Sequence, residues 1–323
     1  MRLRPFIPFI ALTAALLMPA QSPPGTPVIR TWGSAQMRGL LELWQAGFAQ
    51  LHPGVHFENH MQGAVSALGG LYSGVADVVL NREIWPVETM AFEQVRGYPP
   101  TAFEVATGSF DVPTKSDALH IFVHKDNPIA GLTLTQLAAI FGPERKVRSW
   151  GDLGLYGAWT GRPIHVSGYK LDNAGSRLFA DLVMGGSSRW NPEYREFGNL
   201  EEPGKRRVDA GFLALQALAL DSAGIAIANL HYATAAVKPL PLARTAGDAW
   251  IVPSRDTTAS RAWPLTRGVF VFVDRAPGAP VKPTLVEFLR YVLSEEGQRQ
   301  VTREGGYLPL TPAMARAQLE RVQ

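Results

Sequence analysis

Three short stretches of this 323-residue chain place glycine, serine or an amide side chain immediately before an apolar-periodic run. They read Gly33-Ser34-Ala35-Gln36, Gln62-Gly63-Ala64-Val65-Ser66 and Lys170-Leu171-Asp172-Asn173-Ala174-Gly175-Ser176. The start of a helix carries backbone N–H groups with no intrahelical acceptor, at the positive end of the helix dipole. Such loops therefore suit the capture of a small tetrahedral oxyanion without a metal. Ordinary capping uses the same residues, and Ser34, Gly175 and Ser176 fit that role as well. Lys170, six residues before Ser176, would bring a cation to the third loop; the alternative is a solvated loop lysine. Arg82 follows a strand-like run and, on the residues alone, would pair with Glu83 or Glu58 on the surface.

Other chemistry is thin. His56 and His60 are four apart, but His56 falls in strand-like sequence and no HExxH pattern accompanies the pair, which argues against zinc. There is no G-x-S-x-G elbow, P-loop or dinucleotide fingerprint, so no catalytic nucleophile and no cofactor is expected. Of the eight tryptophans, Trp44 reads as core and Trp32, beside the first loop, as a flank of a cleft.

The elements that must hold these loops alternate. Residues 28–32 read as a strand, 37–51 as a helix with Leu40, Leu41, Trp44, Phe48 and Leu51 towards a core, and 55–57 as the next strand. A turn at 62–65, a short helix through Leu68 and Leu71, and a strand at 76–80 repeat the pattern, and two βαβ units in succession argue for a mostly parallel α/β sheet. Residues 118–123 form a continuous apolar run, stopped by the turn HKDNP because Pro128 cannot continue a ladder. Thr133 and Gln136 fit a capping box, and Leu134, Leu137, Ile140 and Phe141 share one face before Gly142-Pro143 ends the helix. Strands at 164–166, 225–229 and 268–273 and helices at 176–184, 210–220 and 283–293 follow, whereas 187–207, crowded with Gly, Asn, Pro and charge, reads as loop. No internal repeat is visible.

With 46% hydrophobic and 18% charged residues the chain is globular and long enough for two cores. Its formal charge is +3, and without Arg2 and Arg4 there remain 29 basic against 28 acidic side chains, which is no nucleic-acid footprint. The order of those two arginines, the apolar run 6–18 and Pro19-Ala20 is that of a secretory signal over residues 1–20, with an uncleaved anchor or a buried helix as the alternative. The run is too short to span a bilayer. The absence of cysteine removes both lipid attachment and disulfides, so the expectation is a soluble, monomeric, periplasmic product.

Two segments carry a family signature. One is the turn HKDNP with the helix LTLTQLAAIF and, beyond it, Trp150, Asp152 and Leu153; the other is the terminal GQRQVTREGGYLPL. In these the chain closely resembles the phosphate-binding (PstS-like) branch of periplasmic solute-binding proteins. The resemblance implies a type II periplasmic-binding-protein fold: two α/β lobes joined by two hinge strands. Lobe one would comprise 27–123 and 256–323 and lobe two 124–255, with crossings near 123–128 and 250–264. It also implies an oxyanion site formed by Ser34, Ala35, Gln36, Ala64, Val65, Ser66, Arg82, Lys170, Asn173, Gly175 and Ser176.

This chain departs from the family pattern at several of these positions. Ala35 stands where a threonine is usual, Ala64 where a serine is usual with Ser66 two residues on, Lys170 in place of arginine, and Arg82 where some members hold an aspartate facing the ligand. A ligand-facing aspartate accepts from protonated phosphate and repels sulfate, so with Arg82 there sulfate is expected to compete. The implied function is capture of phosphate or a related oxyanion for an ABC-type permease, with no enzymatic step. A receptor scaffold turned sensory or interaction module is the alternative, and a phosphate-ester hydrolase on the same scaffold is a third reading.

Overall fold

A computed structural model describes residues 27–201 and 203–322; the expected signal sequence lies outside them. The chain opens with β1 (Val28–Gly33), α1 (Arg38–Leu51), β2 (His56–His60), α2 (Ala64–Tyr72), β3 (Val78–Arg82), α3 (Pro86–Arg96) and β4 (Thr101–Thr107). It continues through β5 (His120–His124), β6 (Leu132–Thr133), α4 (Leu134–Phe141), β7 (His165–Tyr169), α5 (Ala174–Val183), β8 (Arg195–Phe197), α6 (Ala210–Ala219), β9 (Gly224–Ala228), β10 (Val237–Pro239) and β11 (Leu242–Ala243). Last come α7 (Arg255–Ala259), β12 (Gly268–Val273), α8 (Pro283–Leu293), α9 (Glu295–Glu304) and α10 (Pro312–Val322).

These elements build two five-stranded sheets, ordered β2-β1-β3-β12-β4 and β10-β5-β9-β7-β8, with β6 and β11 as a separate small pair. In the first, β1 runs parallel to β2 and β3, and β12 inserts antiparallel between β3 and β4. In the second, β7 runs parallel to β8 and β9, and β5 inserts antiparallel between β9 and β10. The two sheets thus share one topology. In each, the antiparallel strand is the one that follows a crossing from the other lobe.

The outward crossing occupies residues between Thr107 and His120 and the return lies between Ala243 and Gly268. The sequence reading places the first crossing at 123–128, but His120–Val123 pair with Ile225–Ala228 inside the second sheet. An apolar strand reads alike in either lobe, so periodicity could not assign it. The two crossings are themselves bonded, Gly108 N to Arg267 O at 2.9 Å and Leu119 N to Leu265 O at 3.0 Å.

Burial accounts for the helices. Leu40, Leu41, Trp44 and Phe48 of α1 pack with Phe288 and Leu289 of α8 on one face of the first sheet, while Leu68 and Leu71 of α2 and Phe92 of α3 cover the other. Leu51, expected in this core, is the last residue of α1 and is 65% exposed. The capping box of α4 is present, with Gln136 N donating to Thr133 Oγ1 at 3.0 Å and Thr133 N to Gln136 Oε1 at 2.9 Å. Trp32 packs over Gly70 of α2 and near His60, not in the cleft. Several elements were not anticipated: α3, whose Val87, Met90 and Val95 are exposed so that its apolar face reads poorly; β4; β8, inside the expected loop 187–207; the short β6, β10, β11 and α7; and α9 and α10 after the helix read at 283–293.

Asp77 ties the first lobe together. It accepts from Arg30 Nε at 2.9 Å, Arg30 Nη2 at 3.0 Å, Arg30 N at 3.0 Å and Lys282 Nζ at 3.0 Å, joining β1 and the residue before β3 to the start of α8. Burial alone would raise its carboxyl, but the bonds from Arg30 and Lys282 outweigh it and bring the pKa down to about 2. A depressed carboxylate stabilises the fold above its unfolded pKa and loses that contribution as pH falls through the folded value. Asp77→Asn is therefore expected to cost on the order of 2 kcal/mol at neutral pH. In urea unfolding, the gap between wild type and variant should close as the pH is lowered from 4 towards 2; a constant gap contradicts this role.

Candidate anion-binding cleft

A cavity of about 710 Å³ lies between the two sheets, where the β1–α1 and β2–α2 loops and the end of β3 face the β7–α5 loop and the segment before α6. The loops are shaped by local packing. Gly33 passes so close to β3 that a Cβ there would lie 2.2 Å from Leu80 O, which only glycine avoids. Ser34 N donates to Leu80 O at 3.2 Å and Gly63 N to Gly33 O at 3.2 Å, setting the first two loops side by side. Asn81, wholly buried, donates from Nδ2 to Ala64 O at 2.8 Å and accepts from Arg82 N at 2.9 Å, fixing the start of α2 against β3.

Four helix starts meet this cavity: the 3-10 turn Ala35–Met37 leading into α1, then α2, α5 and α6. At α5, Asn173 Oδ1 accepts from Gly175 N at 2.7 Å, so that donor is used. At α6, Asn199 Oδ1 accepts from Ala210 N at 2.9 Å. The N–H groups of Ala35, Gln36, Ala64 and Ala174, all residues of the cavity wall, have no acceptor among the described residues. Ser34 caps nothing with its side chain and also lines the wall.

Of the residues singled out in the sequence, Ser34, Ala35, Gln36, Ala64, Arg82, Asn173 and Gly175 come together on this wall. The other four lie elsewhere. Val65 is 78% exposed and Ser66 is exposed. Lys170 is exposed and runs along Gly198. Ser176 is buried, donating from Oγ to Tyr169 O at 3.0 Å. Arg82 makes no ion pair with the carboxylate of Glu83 or Glu58: its Nη1 donates to Glu83 O, Glu88 holds the guanidinium at 3.2 and 3.4 Å, and the indole of Trp85 lies 4.0 Å from it.

Sequence reasoning missed Asn81, Tyr169, Asn199, Arg207, Asp209, Asn229, His231 and Arg267, all on the wall. Position after a strand or before a helix could have flagged Asn229 and Asp209; nothing local marks Arg267. Each arginine of the wall is compensated by a carboxylate. Arg267 is bound by Glu83 at 2.7 Å, Arg207 by Asp209 at 3.0 Å, Arg82 by Glu88, and His231 Nδ1 lies 3.3 Å from Asp117 Oδ2. Burial first, and then Asp117, raises the Tyr169 hydroxyl; burial first, and then Asp209, raises that of Tyr232, so both stay protonated. Among the described residues no group of three or more metal-ligating side chains is found. The arrangement presents backbone dipoles, not bare guanidinium charge, to whatever enters.

Two lobes with matched sheets and a cleft between their helix starts define the class of two-lobe ligand receptors. The family described as "PBP superfamily domain" matches residues 19–296. The phosphate-binding protein PstS of Pseudomonas aeruginosa is 34% identical over 290 residues, covering 88% of this chain and 83% of its own. PstS of Borrelia burgdorferi aligns with a TM-score of 0.58 at 15% identity over 88% of this chain and 99% of its own. An ABC-type phosphate transport receptor of Vibrio cholerae aligns at 0.54 and 17% identity over 87% and 99%. The chain belongs to the PBP superfamily and, within it, to the family of PstS.

Glu83 gives the electrostatic account a direct check. Glu83→Gln removes the charge that neutralises Arg267, and oxyanion affinity is expected to rise about three- to tenfold with a steeper dependence on ionic strength. Unchanged affinity and unchanged salt dependence in titration calorimetry would contradict it.

Proposed function

We propose that this protein is an exported, periplasmic receptor that captures inorganic phosphate between its lobes and hands it to an ABC-type permease, with no catalytic step. The observation that carries this reading is the meeting of uncommitted helix N-terminal N–H groups from both lobes at one cleft. A tetrahedral oxyanion accepts from many directions, and charge-assisted bonds from fixed N–H groups are about twice as strong as neutral ones. Phosphate is the ligand named for the relatives in the same family. The segments between Thr107 and His120 and between Ala243 and Gly268 act as hinges, and closure brings Ala174 of α5 towards Ala64 of α2 across the anion.

The donors can be deleted one at a time. Proline is tolerated at the first position of a helix but has no N–H. Gly63 (ψ 142°) and Asn173 (ψ 145°) already have the extended backbone that precedes proline. Ala64→Pro and Ala174→Pro should therefore each keep the fold and melting temperature while weakening phosphate binding by roughly 1.5–3 kcal/mol, the range for hydrogen bonds to charged groups. Lys170→Ala should leave affinity unchanged. Full affinity in both proline variants would sink the reading.

A further inference from the structure

Four tryptophans are almost wholly buried, and three of them spend the indole N–H on a backbone carbonyl: Trp44 on Gly297, Trp150 on Ala223 and Trp263 on Leu119, at 2.8–2.9 Å. Trp85 is the exception. It is 3% exposed, yet its Nε1 has no acceptor among the described residues. Its position is nonetheless fixed on the first lobe. It precedes Pro86 at the start of α3, its N donates to Glu88 Oε2 at 2.8 Å, and the Arg82 guanidinium lies 4.0 Å from its ring.

A second guanidinium reaches the same ring, and it comes from the other lobe. Arg177 of α5 lies 5.7 Å from the Trp85 centroid, within the reach of a cation–π interaction. Its side chain is exposed and makes no ion pair among the described residues. The neighbourhood is confirmed one turn on: burial, and then Glu83 of the first lobe, raise the Asp181 carboxyl. Arg177 stands one turn beyond Ala174, whose free N–H lines the cleft.

Building on the oxyanion reading, we infer that Arg177 resting on Trp85 is an interlobe latch that positions the α5 N terminus over the bound anion. Neither side chain lines the cleft, so both act as positioning residues. Glu88 compensates Arg82, which lessens the repulsion between the two guanidinium groups at one ring, and the contact breaks whenever the lobes part.

The test is a double-mutant cycle read by titration of inorganic phosphate. Arg177→Ala and Trp85→Leu should each weaken binding about three- to twentyfold, the range spanned by a partly desolvated cation–π contact. The double variant should be no weaker than either single one, and Arg177→Lys should keep most of the affinity. The Arg177→Ala melting temperature should not move, since the side chain is exposed. If Trp85→Leu does not fold, the contrast between Arg177→Ala and Arg177→Lys decides. Wild-type affinity in Arg177→Ala, or additive losses in the double variant, would overturn the latch and leave the oxyanion reading standing. A wild type that binds no oxyanion would overturn that reading instead. The latch would then be judged by small-angle scattering of ligand-free protein, where a larger radius for Arg177→Ala supports it and superimposable curves refute it.

Discussion

Each sheet of this protein contains an interior strand that the chain delivers after crossing from the opposite lobe, β12 in the first and β5 in the second. Neither sheet can be completed until the chain has crossed, so the crossings are fixed at both ends by ladders and cannot drift. They are bonded to each other between Gly108 and Arg267 and between Leu119 and Leu265. This constraint sets the helix starts of the two lobes facing one another. It also leaves only two backbone segments to bend when the lobes move.

The chemistry of the cleft follows from where charge is and is not. Every arginine on its wall is already matched by a carboxylate, Arg267 by Glu83, Arg207 by Asp209 and Arg82 by Glu88. A charge left bare in a partly desolvated cleft would cost several kcal/mol in the empty protein, whereas orphan N–H groups at helix starts exist in any case. Fixed dipoles therefore supply attraction at lower cost to the unliganded state. They also recognise the shape of an acceptor, which a point charge cannot.

How much of this was legible in the sequence depends on the range of the interaction. Local signals held: the Thr133 capping box, the apolar face of α1 up to Phe48, and the two glycine-bearing loops that enter helices at Ala35 and Ala64. Signals that need a partner from far along the chain did not. Residues 118–123 read as a strand but not as a member of the second sheet. Lys170 had the right spacing to Ser176 but turns along Gly198. Arg82 was given Glu83 or Glu58 as partner, whereas the first turn of α3, unrecognised because Val87 and Met90 are exposed, supplies Glu88. The shared topology of the two sheets has no counterpart in repeated residues, since many apolar sequences satisfy one strand order.

The central claim is that one anion is held simultaneously by backbone donors of both lobes. Amide proton shifts of ¹⁵N-labelled protein during titration with inorganic phosphate test it most directly, because an N–H that acquires a charged acceptor moves strongly downfield. The account predicts that the amides of Ala35 and Ala64 on one lobe and Ala174 on the other shift together, with one common midpoint. Shifts confined to one lobe, or saturating binding with all three amides unmoved, would contradict it.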